Sequence, residues 1–476
     1  MSNEERIRIG LVTPYTGSNL GDAAIQQAVI ENLRALLPKA AFCLFTLDPS
    51  RTRALHGVPS LPITGLIVSS YSNSLERLPE KGMPLGSTGL NVSDFLTRLK
   101  KQPRLQQLLR PSWLFAKALI KGPFSIVREL RHVVDMYTLL RKFRLLIVSG
   151  GGQIDDYWGG PMGHPYALLK WALLAKAAKT KFVFLSVGVC SLDSKLSSLF
   201  VKRALELADY RSYRDVGSKE LLVDMKFTHA DEVVPDLAFS YPANSTAAHD
   251  VATGRREELR IGISPIAYLQ KDHWPRADAA VFGQYTESLA LFIGALLGKG
   301  HEVVLFATDG SDHEATKLLM SELERRWSHD RRMKLRAAQL DCVSELLMEL
   351  ARLDCVVASR LHGVILSHLC ARPVLAISYD RKVKQYMEDM EQSMHCLDIH
   401  KVRAEELEKA LDQLWVRQDV AKTTLKRKAQ VYRQKLAAQY EELARSVQPV
   451  VLQPQQPDVI ASEGFPQGES KDGTFA

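Results

Sequence analysis

The sequence predicts an α/β protein of two doubly wound lobes facing a central cleft, with a helical basic insertion in the first lobe and a long C-terminal helix. Three observations carry this reading. Short apolar runs alternate with helical patterns through the first 240 residues, the alternation restarts at Arg260, and a polar, small-residue stretch (242–259, PANSTAAHDVATGRREEL) separates the two series as a linker. Strands separated by helices are joined by right-handed crossovers into parallel sheets. A chain of 476 residues has room for two or three domains, each with its own core.

In the first lobe (1–241), IRIGLV (7–12) reads as a buried strand, followed by a polar loop. A helix over 23–37 comes next, with Ile25, Val29, Leu33 and Leu36 at helical spacing. Residues 42–47 and 63–69 are further strands, and a basic helical insertion spans 90–143. LLIVS (145–149) and FVFLSVGV (182–189) are central strands with a helix over 167–178 between them; a strand over 210–213 and a short helix over 218–225 follow. The second lobe (260–400) opens with the strand RIGISP and continues as helix 278–298, strand 301–308, and helices 313–327 and 343–353. Strand 354–360, helix 364–370 and strand 373–379 complete it. A charged helix over 401–446 comes last, and the Pro/Gln/Gly-rich remainder, 447–476, is expected to be disordered.

Composition narrows the classes. With 46% apolar and 24% charged residues, a disordered or fibrous chain is excluded. No apolar run in the sequence approaches the roughly 18 residues of a membrane span. The charged start, MSNEERIRIG, leaves no room for a secretory signal. Six scattered cysteines form no CxxC pair, so neither a zinc site nor a disulfide framework is expected, and a reducing cytoplasm fits. The net charge of +8 is local: residues 98–144 hold twelve basic side chains against Glu129 and Asp135. With Trp113, Leu114, Phe115, Leu119, Ile120 and Phe124 interleaved, that block suits an anionic membrane surface or an acidic ligand. It equally suits a helical insertion whose cations stay solvated. No nucleic-acid-binding motif accompanies it, and no nucleic-acid partner is expected.

In open parallel sheets, ligands gather at the carboxyl ends of strands, where helix N-termini offer free amides. Three strand-to-helix junctions carry unusual residues. In TPYTGSNLGDAAI (13–25), Gly17, Asn19 and Gly21 permit tight turns and Asp22 can cap a helix beginning at Ala23. That reads as a plain capped turn or as a backbone cradle. In SGGGQIDDYWGGPMGHPYA (149–167), three glycines let the main chain approach a ligand, although the pattern is neither GxGxxG nor a P-loop. Asp155 and Asp156 stand ready as base or hydroxyl acceptor, with His164 close behind. In ASRLHGVILSHLCARP (358–373), Arg360 and His362 end an apolar strand. A buried arginine there calls for an anion, whether ligand or structural carboxylate.

Taken in order, GSNLGDAAI, the strand–GGG–acid loop, YRD (213–215), PDLAF (235–239), SRLHG (359–363) and SYDRK (378–382) resemble the polysaccharide pyruvyl transferase family. The resemblance covers about 7–50 and 145–390, and departs at Gln153, where the family pattern has glycine. It implies two Rossmann-like domains in a glycosyltransferase-B-like fold. It also implies transfer of a pyruvyl group from phosphoenolpyruvate (PEP) to two sugar hydroxyls, forming a cyclic ketal in a polysaccharide or its precursor.

On that resemblance, Arg214 and Arg360 hold the carboxylate and phosphate of PEP, Lys382 adds a third cation, and the backbone at Leu361 is a further contact. Asn19, Asp22, Gly151 and Gly152 complete the substrate-binding surface. His362 is the acid/base candidate or stabilises the leaving phosphate, and Asp155 or Asp156 orients or deprotonates the sugar hydroxyls. PEP serves as co-substrate; no cofactor or metal is expected. The expected partners are PEP and a sugar acceptor, lipid-linked if the basic segment touches the inner face of a membrane. Two alternatives stay open: a nucleotide-sugar glycosyltransferase of the same fold, with His362 and Arg360 facing a diphosphate, and a catalytically silent, membrane-docked binding protein.

Overall fold

The computed structural model describes residues 6–66, 125–157, 159–242, 258–270, 274, 277–328 and 333–448. Most of the basic segment, nearly all of the linker and the C-terminal tail, at 98–124, 243–257 and 449–476, lie outside the described residues.

Among the described residues, the first lobe holds a seven-stranded parallel sheet: β1 (Arg8–Val12), β2 (Ala41–Thr46), β3 (Ser60–Pro62), β4 (Leu145–Ser149), β5 (Lys181–Val187), β6 (Tyr210–Tyr213) and β7 (Glu232–Val233). Its helices are α1 (Leu20–Leu36), α2 (Pro49–His56), α3 (125–140), α4 (His164–Ala178), α5 (Lys195–Glu206) and α6 (Val216–Asp224). The second sheet has six strands: β8 (Arg260–Ser264), β9 (Glu302–Leu305), β10 (Leu335–Ala337), β11 (Cys355–Ala358), β12 (Val374–Ser378) and β13 (Cys396–Asp398). Its helices are α7 (Ala279–Gly298), α8 (Asp312–Arg326), α9 (Val343–Arg352), α10 (Leu361–Leu369) and α11 (Arg381–Asp389). Last come α12 (Ala404–Val416) and α13 (Gln418–Arg445).

The strand orders are 3-2-1-4-5-6-7 and 10-9-8-11-12-13. Each sheet starts in the middle, grows one way, then returns to grow the other way. The reversal falls between β1 and β4 and between β8 and β11, and a crevice opens there at the carboxyl ends. All five residues of β4 are buried, as a central parallel strand with helices on both faces requires.

The lobes share a core. Ala24 and Ala28 of α1, Leu350 of α9, Ile365 of α10 and Leu436 of α13 belong to one buried cluster. α13 reaches back to the first lobe, where Gln439 donates to Tyr210 Oη at 3.1 Å and to Ser212 Oγ at 2.7 Å. This explains a departure from the sequence reading, which runs one helix through 401–446. α12 buries Leu407, Leu411 and Leu414 on the second lobe, whereas α13 serves the interlobe core, so the chain breaks at Arg417. The helices α2, α5 and α11 and the short edge strands β7, β10 and β13 are further additions to the reading. The expected strand 63–69 is replaced by β3 at Ser60–Pro62, and 67–69 lie outside the described residues.

Two helices bear on membranes. α7 is long and apolar enough to cross a bilayer by length and composition, but Leu289, Phe292, Ile293 and Leu296 pack it into the second lobe's core. α3 is different. Met136 and Leu140 face the first lobe's core, while Ile126 (59% exposed), Val127 (64%), Leu130 (60%) and Val134 (63%) leave an apolar stripe uncovered. A buried ion pair, Lys170 Nζ to Glu129 Oε1 at 2.8 Å, fixes α3 to α4.

Candidate active site

The loop after β1 turns into α1 at Asn19, and Asn19 rather than Asp22 is the cap: its Oδ1 accepts from Asp22 N at 3.0 Å. Its Nδ2 donates to Asp309 Oδ2 in the second lobe, also at 3.0 Å. Leu20 N bonds Thr308 O at 2.8 Å and Gly310 N bonds Ser18 O at 3.0 Å, so backbone joins the lobes at this point. The helix starts three residues earlier than its apolar spacing suggests, which turns Asp22 from cap into a first-turn side chain. Its carboxyl accepts no hydrogen bond among the described residues.

After β4, Gly150 and Gly151 adopt φ of +51° and +64°, the left-handed region that favours glycine. A Cβ on Gly151 would stand 3.2 Å from Asp22 Oδ1, while Gly152 faces open space. Gln153, the departure from the family pattern, is buried under this turn. Its Nε2 donates to Thr13 Oγ1 and Ser149 O, both at 3.3 Å, and its Oε1 meets His164 Nε2 at 3.2 Å. Burial pulls His164 down to about 3, so this histidine is a neutral brace beneath the loop.

The two arginines arrive from opposite lobes. Arg360, after β11, forks onto Asp312: Nε to Oδ2 at 2.7 Å and Nη2 to Oδ1 at 2.9 Å, with Asp309 Oδ1 at 3.8 Å. Arg214, after β6, donates from Nε to Asp215 Oδ2 at 3.2 Å and from Nη1 to Asp236 Oδ2 at 3.5 Å. Each partly buried cation is thus balanced by carboxylates, as the loss of water around it demands. Nη1 of Arg360 and Nη2 of Arg214 take no hydrogen-bond partner among the described residues. Arg214 Nη2 lies over Gly188, where a Cβ would come within 2.7 Å of it.

His362 occupies the first turn of α10, directly after Leu361, where helix amides have no intrahelical acceptor. Its ring fits only because residue 21 is glycine: a Cβ there would sit 2.2 Å from His362 Cγ. His362 Nε2 is buried without a hydrogen-bond partner, 3.7 Å from Asp236 Oδ2. Burial raises the Asp236 carboxyl, but His362 and Arg214 outweigh it and hold the group below the ordinary carboxylate range. Asp22 goes the other way. Burial dominates there, and its carboxyl is held above that range despite His362 and Arg214. Asp236 and Asp22 thus depart from the ordinary range in opposite directions, and both couple electrostatically to His362.

Lys382, in the first turn of α11, places Nζ 3.4 Å from Asp380 Oδ2 and 5.5 Å from the Tyr379 ring centroid. Asp155 accepts from Tyr157 N at 2.6 Å, and burial raises its carboxyl despite that bond and Lys382. Cys190 couples electrostatically to Lys382, Asp155 and Arg214, placing these four groups in one neighbourhood. Asp156 is arranged otherwise: its oxygens accept from Asp193 N and Ser194 N, both at 3.1 Å, and brace the loop before α5.

Sequence reading missed Asp236, Asp309, Asp312 and Gly188. The signals were present as PDLAF and as TDGSD after β9, but acids next to turns read as caps, and Asp236 does cap a short 3-10 turn.

Residues 19–381 match the family model described as polysaccharide pyruvyl transferase. A glycosyltransferase from Rickettsia africae superposes at a TM-score of 0.52 with 10% identity, over 93% of this chain and 98% of that one. A putative UDP-N-acetylglucosamine 2-epimerase from Listeria monocytogenes also gives 0.52 with 10% identity, over 91% and 94%. At that identity the likeness is one of fold, a glycosyltransferase-B-like pair of parallel-sheet domains. Comparison with curated protein sequences returns no match.

Proposed function

The chain belongs to the polysaccharide pyruvyl transferase family, and on that premise we propose that it transfers a pyruvyl group from PEP to two hydroxyls of one sugar, releasing phosphate. One observation carries the reading. His362 Nε2 is buried without a hydrogen bond, 3.7 Å from Asp236 Oδ2, and among the described residues an arginine from each lobe keeps one N–H group that makes no hydrogen bond. PEP offers a carboxylate and a phosphate, two anions for those two N–H groups and for the amides at Leu361.

In the reaction, a sugar hydroxyl adds to C2 of PEP and loses its proton, while C3 gains a proton and becomes a methyl group. The second hydroxyl then attacks C2, loses its proton, and displaces phosphate to close the ketal. His362 exchanges protons with the reacting atoms, and Asp22, held toward its neutral form, couples to it electrostatically. Asp155 receives the sugar hydroxyls, since both Asp156 oxygens are bonded to loop amides.

The test is calorimetric. Arg214→Ala or Arg360→Ala removes a charge-assisted contact of about 1.5–3 kcal/mol, so PEP affinity should fall roughly ten- to a hundredfold in each. Unchanged PEP binding in both folded variants contradicts the assignment. Nucleotide-sugar glycosyl transfer is the second reading, favoured by the fold likeness alone. It predicts binding of a nucleotide diphosphate in place of PEP.

α3 further supports peripheral contact with an anionic membrane at the cytoplasmic face, from which a lipid-linked acceptor would be presented. Its exposed apolar stripe lies on the same helix as Arg131, which pairs with exposed Asp135, and the exposed Arg141 and Lys142 follow its last turn.

A further inference from the structure

The carboxyl ends of β4, β8 and β12 carry an aromatic cluster that the reaction leaves unused. Tyr157 follows Asp155 after β4, Tyr268 and Trp274 follow β8, and Tyr379 follows β12. The Tyr157 ring stands 5.8 Å from Trp274 across the interlobe cleft. Trp274 in turn lies 5.1 Å from Tyr268 and 5.9 Å from Tyr379, and Tyr268 is 5.5 Å from Tyr379.

Tyr157 is 40% exposed, and Tyr268, Trp274 and Tyr379 pack one side against the second lobe's core while staying partly exposed. Rings gathered edge-to-face at a cleft and left wet on one side are a binding surface for a ligand with an apolar face and a polar rim. Polar groups border the cluster. Tyr268 Oη meets His400 Nε2 at 3.4 Å. Gln270, whose carbonyl accepts from Trp274 N, has a buried Oε1 with no donor. The cluster also adjoins the reaction site, because Tyr157 N binds Asp155 and the Tyr379 ring lies under Lys382.

We infer that Tyr157, Tyr268, Trp274 and Tyr379 form a subsite for a pyranose ring next to the sugar that reacts. A pyranose presents C–H bonds on one face and hydroxyls around its rim, the complement of this surface. The inference rests on the pyruvyl-transfer reading only for which ring reacts; the stacking surface stands without it.

The experiment compares full-length protein with Trp274→Leu and Trp274→Phe, each checked for folding by circular dichroism. The probes are glucose, galactose and mannose with their 1→3 and 1→4 linked disaccharides, titrated by saturation-transfer NMR, and PEP, titrated by calorimetry. At least one disaccharide should bind about tenfold tighter than its monosaccharide. Trp274→Leu should abolish that preference, Trp274→Phe should keep most of it, and PEP affinity should be equal in all three. Equal binding of mono- and disaccharides by the unmodified protein, or a preference untouched by Trp274→Leu, overturns the subsite. Loss of the preference in Trp274→Leu by a protein that never binds PEP upholds the subsite and removes the pyruvyl reading instead.

Discussion

His362 Nε2 stands 3.7 Å from Asp236 Oδ2, the same oxygen that accepts from Arg214 Nη1. The imidazole comes from the second lobe and the acid from the first, so this contact joins the lobes. Closure is built into the chain: Asn19 ties α1 to Asp309, and α13 returns to the first sheet through Gln439.

The first prediction follows from that pair. His362→Ala should lower turnover by about 10²–10⁴ while PEP affinity changes only a few-fold, the pattern of a lost acid/base group. Steady-state kinetics with calorimetric PEP titration check it. Activity within a few-fold of the unmodified protein would make His362 structural.

Glycine placement gives a second. A methyl at Gly21 collides with the His362 side chain at 2.2 Å, whereas one at Gly152 meets nothing within 4 Å. Gly21→Ala should cost about 1–3 kcal/mol in denaturant unfolding and depress activity, because α1 and α10 must separate. Gly152→Ala should cost less than about 0.5 kcal/mol. Equal effects on stability would show that α1 and α10 do not pack this closely.

Asp22 predicts a pH dependence. Burial, against the pull of His362 and Arg214, holds its folded-state carboxyl above the ordinary range. An unfolded aspartate releases its proton near pH ~4, so the native state holds the extra proton above that point and loses stability as pH rises toward the raised folded value. Below the unfolded value no such penalty exists. Asp22→Asn has no proton to release, so its thermal midpoint should gain on the unmodified protein as pH rises above about 4 and show no such gain in acid. A constant offset at every pH contradicts the raised carboxyl.

For α3, co-sedimentation with vesicles decides. Binding should require anionic lipid and weaken between 0.1 M and 1 M salt, as the Debye length shrinks from about 10 Å to about 3 Å. Leu130→Glu, on the exposed stripe, should reduce it further. Negligible pelleting under every condition leaves α3 a solvated surface helix.

Much of this molecule is legible in its sequence. The central strands β1, β4, β8 and β11 are buried on both faces and read as apolar runs, and Arg360 and His362 stand out as polar residues at the end of one. Edge strands such as β7 and β10 have two or three residues and little apolar signal, so only pairing defines them. The acids that balance the arginines were hidden for another reason. Asp236 and Asp312 come from turns distant in sequence, and only the fold places Asp312, with no exposed side-chain surface, against Arg360. The break at Arg417 was hidden too, because both halves favour helix and only packing on different lobes separates them.

The proposed reaction takes PEP as donor and a sugar diol as acceptor. Phosphate release from PEP, measured with and without a panel of mono- and oligosaccharide acceptors, tests it most directly. Release should require an acceptor, yield one phosphate per ketal formed, and fall about 10²-fold or more in His362→Ala. Folded protein that releases no phosphate from PEP with any acceptor, yet transfers sugar from a nucleotide donor to the same panel, would contradict it.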